Sequence, residues 1–419
     1  MDARFLGLDN ILGTLGLSNS KSFQVWYERT LAQREEVELN IEGFQWAEPQ
    51  LDFTYEFLES QGNIRTMATY VAPDSEPLAR GKEVSLAKLT GTIPRQKRKI
   101  NRGENDYRKE LIALQQEAVK ARFRGESPDA SMFDYLANNL FDNLSEIPDA
   151  HSASMTFQVG QMKSKRVLEL TDENNQGGII GAKFSANVPD ANVKKEDWFT
   201  VAEDGAITYV EGVNPITTLK KKIRDIKNDR INGFRVVTVE INRKTFFNLV
   251  EHPAVLTDLG YSLRPELMIS PSNNANALKV GKNAYLSNED GYMVEYFKRA
   301  IGADQLILND NIVGVDKLDR TAKKFKQEVL DAFDEGVILI RPAGIIGSIY
   351  NVVPLRPDGQ AIVAGIFGNR GILEYRYNRE TRTQTWVSEL TALAVPNMPK
   401  KMYYYEIQGE TTVEETSEE

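Results

Sequence analysis

The sequence contains no cysteine and only two histidines among its 419 residues. The absence of cysteine excludes disulfides, thiolate metal sites and cysteine nucleophiles, and it fits a reducing cytoplasm. A histidine-based metal site or a Ser-His-Asp triad would depend on His151 or His252, and no motif surrounds either residue. His252 follows a predicted helix, a position that favours a protonated ring through the helix dipole. We expect both histidines to have structural roles.

Long hydrophobic runs and an excess of positive charge are also missing. No stretch approaches the roughly 20 apolar residues of a membrane span. Asp2 and Asp9 interrupt the short apolar run at the N-terminus, which therefore does not match a signal peptide. The net charge of −9 argues against broad binding to the phosphate backbone of duplex DNA. Length and composition are those of an ordinary globular protein of two or three domains.

The clearest pattern that is present begins at Asn214. This residue can cap a helix, and Pro215 suits the first helical position because its missing N–H would have no partner there. Apolar residues then recur at helical spacing, namely Ile216, Leu219, Ile223 and Ile226. A helix with one buried face is therefore predicted to start at Pro215.

A buried strand and a second helix follow within the same unit. Residues 234–241 are β-branched and almost fully apolar, which is typical of a strand covered on both faces. Asn242 can cap the next helix, which the His252-Pro253 pair ends. The unit contains no Gly-rich phosphate loop and no catalytic constellation. We therefore interpret it as a structural helix–strand–helix unit of an α/β or α+β domain and not as a functional site.

The first hundred residues show two segments without a core of their own. Residues 1–47 form an arm in which Phe23, Trp26, Tyr27, Leu31 and Arg34 lie at helical offsets. Residues 48–103 predict a long hairpin whose arms run over 64–71 and 84–92. Its second arm continues into a basic run that contains Arg95, Lys97, Arg98, Lys99 and Arg102. A projecting hairpin of this kind is unstable alone, so we expect it to lie on a neighbour.

The remaining chain alternates helices and strands. One helix is predicted from Tyr107 and another over about 130–163, in which Pro148 would introduce a kink or a break. Residues 261–288 are polar and rich in Asn, which predicts surface loops and weak strands. A helix ending at Gly302 and strands at 305–308 and 337–340 follow, with a charged stretch between these strands. From 345 to 408 the pattern is mostly of strands, and an acidic, disordered tail is predicted after it.

In order, the sequence predicts an arm, a long basic hairpin, a long helix, a helix–strand–helix unit and a closing set of strands. In this order, and in four of its regions, the chain resembles the major capsid proteins of tailed bacteriophages, in particular the lambda-like branch with the Hong Kong 97-type fold. IRTMATYVAPDSEPLARGKEVSLAKLTGTIPRQKRKINRGE is similar to the extended loop of that branch. MTFQVGQMKSKRVLEL is similar to the end of its spine helix. NPITTLKKKI with VVTVEINRKTFFNLVEHPAV resembles the start of its axial domain, and RTQTWVSELTALAVPNMPKKMYYYEI resembles its closing strand. The resemblance covers roughly residues 48–408 and rests on the order of these patterns.

This resemblance implies an α+β fold with a defined domain order. The expected parts are an N-terminal arm (1–47), an extended loop (48–103), a peripheral domain with the spine helix (104–213), an axial domain (214–345), closing strands shared between the two domains (346–408) and the acidic tail (409–419). Such a subunit tiles into pentamers and hexamers of an icosahedral shell around double-stranded DNA. No catalytic, cofactor or metal site is implied.

The resemblance also implies contacts and partners. Arg95, Lys97, Arg98 and Lys99 of the hairpin are the candidate charged contacts to neighbouring subunits, and Trp26 and Tyr27 are candidates for anchoring the arm. The arm is too short to contain a fused scaffolding segment, so a separate scaffolding protein is expected. Portal and decoration or head-completion proteins are further expected partners, and packaged DNA would be held non-specifically. Assembly in the cytoplasm of a bacterial host would place the protein in the virion capsid.

Three alternatives stay open. A cellular encapsulin-type compartment has the same fold but encloses a cargo enzyme. A metal-dependent hydrolase that uses only Asp and Glu belongs to a different class, and the sequence contains no motif for it. The run from Arg95 to Arg102 also resembles a nucleic-acid site in its charge, yet it lacks the interleaved aromatic residues that stack on bases. Some capsid relatives crosslink a loop Lys to an Asn, but no matching Asn or catalytic Glu accompanies Lys82 or Lys88.

Overall fold

The structure is a computed structural model. It describes residues 20–33, 41–60, 86–102, 104–125, 128–175, 178–202, 204–229, 233–269, 273–319, 324–354, 363–378 and 383–409. The first arm of the predicted hairpin (64–71) and the acidic tail (from 410 on) lie outside these ranges.

The helices confirm most of the predicted ones. In chain order they are α1 (Ser20–Gln33), α2 (Glu104–Arg124), α3 (Pro128–Ser164), α4 (Pro215–Asn228), α5 (Arg243–Val250), α6 (Pro253–Leu263), α7 (Asn274–Ser287) and α8 (Asp290–Ile301).

The strands complete an α+β fold, as predicted. They are β1 (Phe44–Trp46), β2 (Thr54–Ser60), β3 (Leu86–Thr92), β4 (Arg95–Arg102), β5 (Val167–Glu169), β6 (Lys183–Ser185), β7 (Val193–Val201), β8 (Ile207–Tyr209), β9 (Val237–Asn242), β10 (Gln305–Asn309), β11 (Ile312–Asp319), β12 (Lys324–Asp331), β13 (Val337–Pro342), β14 (Gly347–Asn351), β15 (Val363–Ile366), β16 (Gly371–Asn378), β17 (Thr383–Pro396) and β18 (Tyr403–Gly409).

The chain forms two compact units, of which the first contains α1, β4, α2 and most of β14–β17. Its sheet has the order β1-β14-β17-β16-β15, and β4 pairs with β17 beside this path. Phe23 of α1 is fully buried and stacks on the ring of Trp386 in β17, with centroids 5.4 Å apart. Phe23 of the predicted helical face therefore packs on the sheet of the same unit, whereas the side chains of Leu31 and Arg34 lie outside the described ones.

The long helix α3 confirms the helix predicted over about 130–163. It continues through Pro148, which is itself buried. Leu144, Ile147 and Met155 are fully buried on both sides of the proline. Burial of this stripe stabilises the helix enough to offset the hydrogen bond that proline cannot make. The helix belongs to the first unit up to residue 156 and to the second unit from residue 157.

The second unit is built around a sheet of order β10-β9-β13-β18-β7-β8. Every residue of β9 is buried, as its apolar sequence predicted. Asn214 caps α4 by accepting a hydrogen bond from Thr217 N, and Asn242 caps α5 by accepting one from Lys244 N. Both caps confirm the sequence prediction. The predicted boundary between peripheral and axial domains at 213/214 stays a prediction.

The prediction of loops and weak strands over 261–288 is wrong, because α7 and the end of α6 together occupy more than half of this stretch. Its packing against α6 explains the difference. A Cβ atom at Gly260 would lie 1.9 Å from the carbonyl oxygen of Ala277, and one at Gly281 would lie 1.8 Å from that of Leu256. Such close approach of two helix backbones needs glycine on both sides. The polar composition of α7 hid this tertiary contact.

The charged stretch between the predicted strands at 305–308 and 337–340 contains a hairpin that the sequence did not reveal. β11 and β12 pair in antiparallel register from Ile312 opposite Asp331 to Asp319 opposite Lys324. Seven of the sixteen residues of β11 and β12 are apolar, but they do not alternate regularly with polar residues, so hydrophobic alternation gave no signal. β7 was missed for the same reason, since charged residues occupy its first half.

Candidate inter-subunit surface

The basic run forms a strand that pairs on one side only within the described part of the chain. β4 pairs in antiparallel register with β17, so that Lys97 lies opposite Glu389 and Arg98 opposite Ser388. No other described strand pairs with β4. An open edge presents unpaired backbone N–H and C=O groups, and charged side chains along it discourage uncontrolled pairing with other chains. We define residues 95–102 as the basic edge.

The side chains of the basic edge alternate between two environments. Arg95, Lys97 and Lys99 are exposed. Arg95 Nε lies 3.0 Å and Lys97 Nζ 3.3 Å from the carboxylate of Glu389, so two cations share one carboxylate. The exposed fraction of the side chain is 46% for Arg95 and 53% for Lys97. Among the described residues, the outward cations therefore have fewer carboxylate partners than charges, which leaves them available for a charged contact.

Arg98 lies on the other face of the strand and differs from the three outward cations. Its carbonyl oxygen accepts a hydrogen bond from Ser388 Oγ at 3.5 Å. Burial, and then the charge of Arg98, lower the pKa of His151 to about 4. The charge of Arg98 thus acts on a buried residue of its own unit. Only the register of the strand separates Arg98 from the outward cations of the same basic run.

A groove of about 360 Å³ adjoins the basic edge. It is lined by Leu51, Phe53, Arg95, Val352, Val353, Pro354, Glu374, Arg376, Glu389 and Thr391. The guanidinium of Arg95 lies over the ring of Phe53, 5.4 Å from its centroid. Leu51 is 79% exposed. The groove thus offers apolar surface next to the charged side chains of the basic edge.

Trp26 and Tyr27 occupy different positions on α1. Tyr27 is fully buried, stacks on Phe23 at 5.9 Å and donates a hydrogen bond to the carbonyl oxygen of Leu144 at 3.3 Å. Burial raises the pKa of the Tyr27 phenol, with a smaller contribution from Asp149. Trp26 is half-buried and touches Phe23 at 5.7 Å. Tyr27 therefore anchors α1 within its own unit, and contact of either residue with another subunit stays a prediction.

Gln24 makes a structural contact of the arm that the sequence did not reveal. Its side-chain oxygen accepts a hydrogen bond from Gly365 N, and its amide donates to Gly365 O at 3.4 Å. Gly365 lies in β15, at the end of the sheet order. The side-chain amide satisfies backbone groups of an edge strand. No local pattern could indicate a contact between residues 341 positions apart.

The two histidines are both buried and both have structural contacts. A hydrogen bond of 2.8 Å joins His151 Nε2 to Ser388 Oγ. The expectation that His252 favours a protonated ring is wrong. His252 caps the start of α6, where Nδ1 accepts a hydrogen bond from Ala254 N at 3.1 Å, and burial lowers its pKa. The positive end of the helix dipole disfavours a cation there.

A buried charge cluster in the second unit also escaped sequence analysis. The carboxylate of Glu240 in β9 lies 3.1 Å from Lys163 Nζ and accepts hydrogen bonds from Arg341 and from Asn309. Burial alone would raise the pKa of Glu240, but Lys163 and Arg341 outweigh it and hold the pKa below its usual range. The cluster connects the end of α3 to the central strands β9 and β13 through buried ion pairs, and we expect it to stabilise the second unit.

No group of three or more His, Cys, Asp or Glu residues in the described part of the chain is arranged to hold a metal ion. Within the same residues, no helix has both the length and the apolar character to cross a membrane.

The chain is similar in overall arrangement to several solved capsid structures. It shares 11% identity with the mature capsid of bacteriophage PhiM1, with 88% of this chain and 87% of that chain covered and a TM-score of 0.39. The putative capsid protein of a prophage of Escherichia coli CFT073 gives 9% identity, 88% coverage of each chain and a TM-score of 0.38. An encapsulin complex from Synechococcus elongatus gives 6% identity, with 87% of this chain and 84% of that chain covered and a TM-score of 0.32.

No protein-family model matches the sequence, and no curated protein matches it. These likenesses, with identities near 10% and TM-scores near 0.4, assign no function to the chain.

Proposed function

We propose that this protein is a structural shell subunit, the major capsid protein of a tailed bacteriophage, without enzymatic activity. The basic edge is the observation that carries the proposal. It combines an open strand edge, outward cations that are only partly neutralised, and an adjoining groove with exposed apolar surface. A surface with these properties is suited to contact with other copies of the chain.

The elements leading to the basic edge support the same proposal. β2 and β3 pair with each other and with no other described strand. An isolated two-stranded ladder is marginally stable in water, because it buries little apolar surface. A neighbouring subunit would supply the missing cover. The β2–β3 ladder is therefore proposed as part of the extended loop of the shell subunit, and Arg95, Lys97 and Lys99 of the following strand β4 as charged contacts beside it.

The remaining assignments follow from this proposal. Residues 104–213 would form the peripheral domain and 214–345 the axial domain of a subunit that assembles into pentamers and hexamers. The acidic net charge suits a container that holds packaged DNA without strong adhesion. A separate scaffolding protein, a portal and decoration or head-completion proteins are the proposed partners. Assembly would take place in the cytoplasm of a bacterial host and end in the virion capsid.

Charge reversal at the basic edge tests the proposal. We expect Arg95→Glu, Lys97→Glu and Lys99→Glu together to leave the subunit folded and to block shell formation, because the contact becomes repulsive. Circular dichroism checks the fold, and electron microscopy of the protein expressed with and without a scaffolding partner checks the particles. Arg98 is left unchanged because its charge acts on the buried His151 of its own unit.

A matched control reverses exposed cations elsewhere. Lys221→Glu with Arg224→Glu alters two exposed residues of α4 and should leave assembly unchanged. Normal shells from the triple variant would contradict the proposed contact. If the wild-type chain gives only small species under every condition, the shell function itself is wrong. Shells that retain an enzyme cargo from the native host instead of DNA would identify the encapsulin-type alternative.

A further inference from the structure

We propose that the acidic segment 410–419 of a neighbouring copy binds along the basic edge. The inference rests on the proposed shell function, because it names the partner of that same surface. It begins from an imbalance of charge at the edge. Arg95 and Lys97 share the single carboxylate of Glu389, and Lys99 has no ion pair with any described residue. The edge therefore retains positive charge that an anionic partner can neutralise.

The acidic segment has the composition that this edge requires. Five of its residues are Glu and none is Lys or Arg: Glu410, Glu414, Glu415, Glu418 and Glu419. If the segment is extended, three of these fall on one face, namely Glu410, Glu414 and Glu418. Opposite charges on facing strands stabilise a pair of strands. The β-branched residues between them favour the extended form.

The dimensions of the two partners also agree. β4 has eight residues and the acidic segment has ten. Extended chains rise by roughly 3.3 Å per residue, so the segment can follow the whole edge. Backbone groups on the open side of β4 can accept an added strand, as in recognition by strand addition. Single exposed ion pairs are weak, but many copies in a shell raise the effective concentration of each partner.

A peptide titration tests binding at the edge. The receptor is the full-length chain in which the five glutamates of its own segment are replaced by Gln, and the probe is a fluorescent GETTVEETSEE peptide. We expect binding at low salt that weakens by roughly tenfold when Lys97→Glu and Lys99→Glu are introduced. Lys221→Glu with Arg224→Glu is the matched control and should leave the affinity unchanged. Equal affinity of the Lys97/Lys99 variant, or of a peptide with Gln for Glu, overturns the inference.

Isotope mixing tests whether the segment comes from a neighbour. Wild-type chains grown with nitrogen-14 and nitrogen-15 are assembled together and treated with a carbodiimide, which links carboxylates to lysine amines. Mass spectrometry should find Lys97 or Lys99 linked to Glu410, Glu414 or Glu418, with half of the links joining chains of different label. Links confined to one label, or their absence, overturn the assignment to a neighbour.

The two proposals fail in different ways. Shells from the variant with the Gln-substituted segment, combined with no peptide binding, would overturn the inference and leave the shell function intact. Peptide binding without shells from any variant or from the wild-type chain would overturn the shell function alone.

Discussion

At the scale of single residues, Glu240 carries a negative charge at a fully buried position between Lys163 and Arg341. We expect Glu240→Gln to reduce the free energy of unfolding by about 3–5 kcal/mol, because two buried cations then lose their counter-charge. Urea unfolding followed by circular dichroism measures the change. Glu295→Gln is the control, since this exposed carboxylate pairs with Lys298 and Arg299 on the surface of α8. Equal urea midpoints of unfolding for both variants would contradict a stabilising role of the buried ion pairs of Glu240.

His151 provides a second prediction at this scale, through its pKa of about 4. The pKa in the unfolded chain is near 6.5, so between pH 6.5 and about 4 the unfolded state binds more protons than the folded state. The contribution of His151 to stability is therefore retained at neutral pH and is lost as the pH falls through this window. NMR titration of labelled histidine measures the pKa directly, because the chain has only two histidines.

The ring signal of His151 should remain that of neutral imidazole down to about pH 5. His151→Gln identifies the signal by its loss. That variant should also show a smaller drop in thermal midpoint between pH 7 and 4.5 than the wild type. A titration midpoint near 6.5 would mean that the ring is solvated and that its contact with Ser388 is absent.

At the scale of elements, the packing of α6 against α7 depends on two glycines. Gly260→Ala should destabilise the second unit by about 1–3 kcal/mol, because its Cβ would overlap the carbonyl oxygen of Ala277. Gly291→Ala in α8 is the matched control, since a Cβ there meets no atom within 4 Å. Chemical denaturation measures both variants. The prediction fails if Gly260→Ala is as stable as the control.

At the scale of the whole molecule, the net charge of −9 opposes binding of the subunit to DNA. We expect no complex between the unassembled subunit and duplex DNA at physiological salt, because few phosphates are neutralised and the remaining surface repels them. Fluorescence anisotropy with a labelled duplex measures this. Tight, salt-sensitive binding that disappears on reversal of Lys97 and Lys99 would instead make the basic edge a nucleic-acid site.

The sequence by itself determined the features that arise from neighbouring residues. Asn214 and Asn242 cap helices through hydrogen bonds within three positions, and the apolar run of β9 indicated its burial directly. The extent of α3 also followed from local periodicity. Such features depend on backbone geometry and on spacing along the chain, which the sequence states explicitly.

Only the tertiary structure decided the contacts between distant residues. Gln24 meets Gly365 across 341 positions, and Lys163 meets Glu240 across 77. The register of β4 on β17 turns Lys97 outward and Arg98 inward, although the sequence presents them as neighbours in one basic run. Side chains of a strand alternate between its two faces. Which face is buried and which is exposed depends on the partner strand and on the packing beneath the sheet. For that reason the charge of the basic edge could be predicted from the sequence, whereas the side chains available for contact could not.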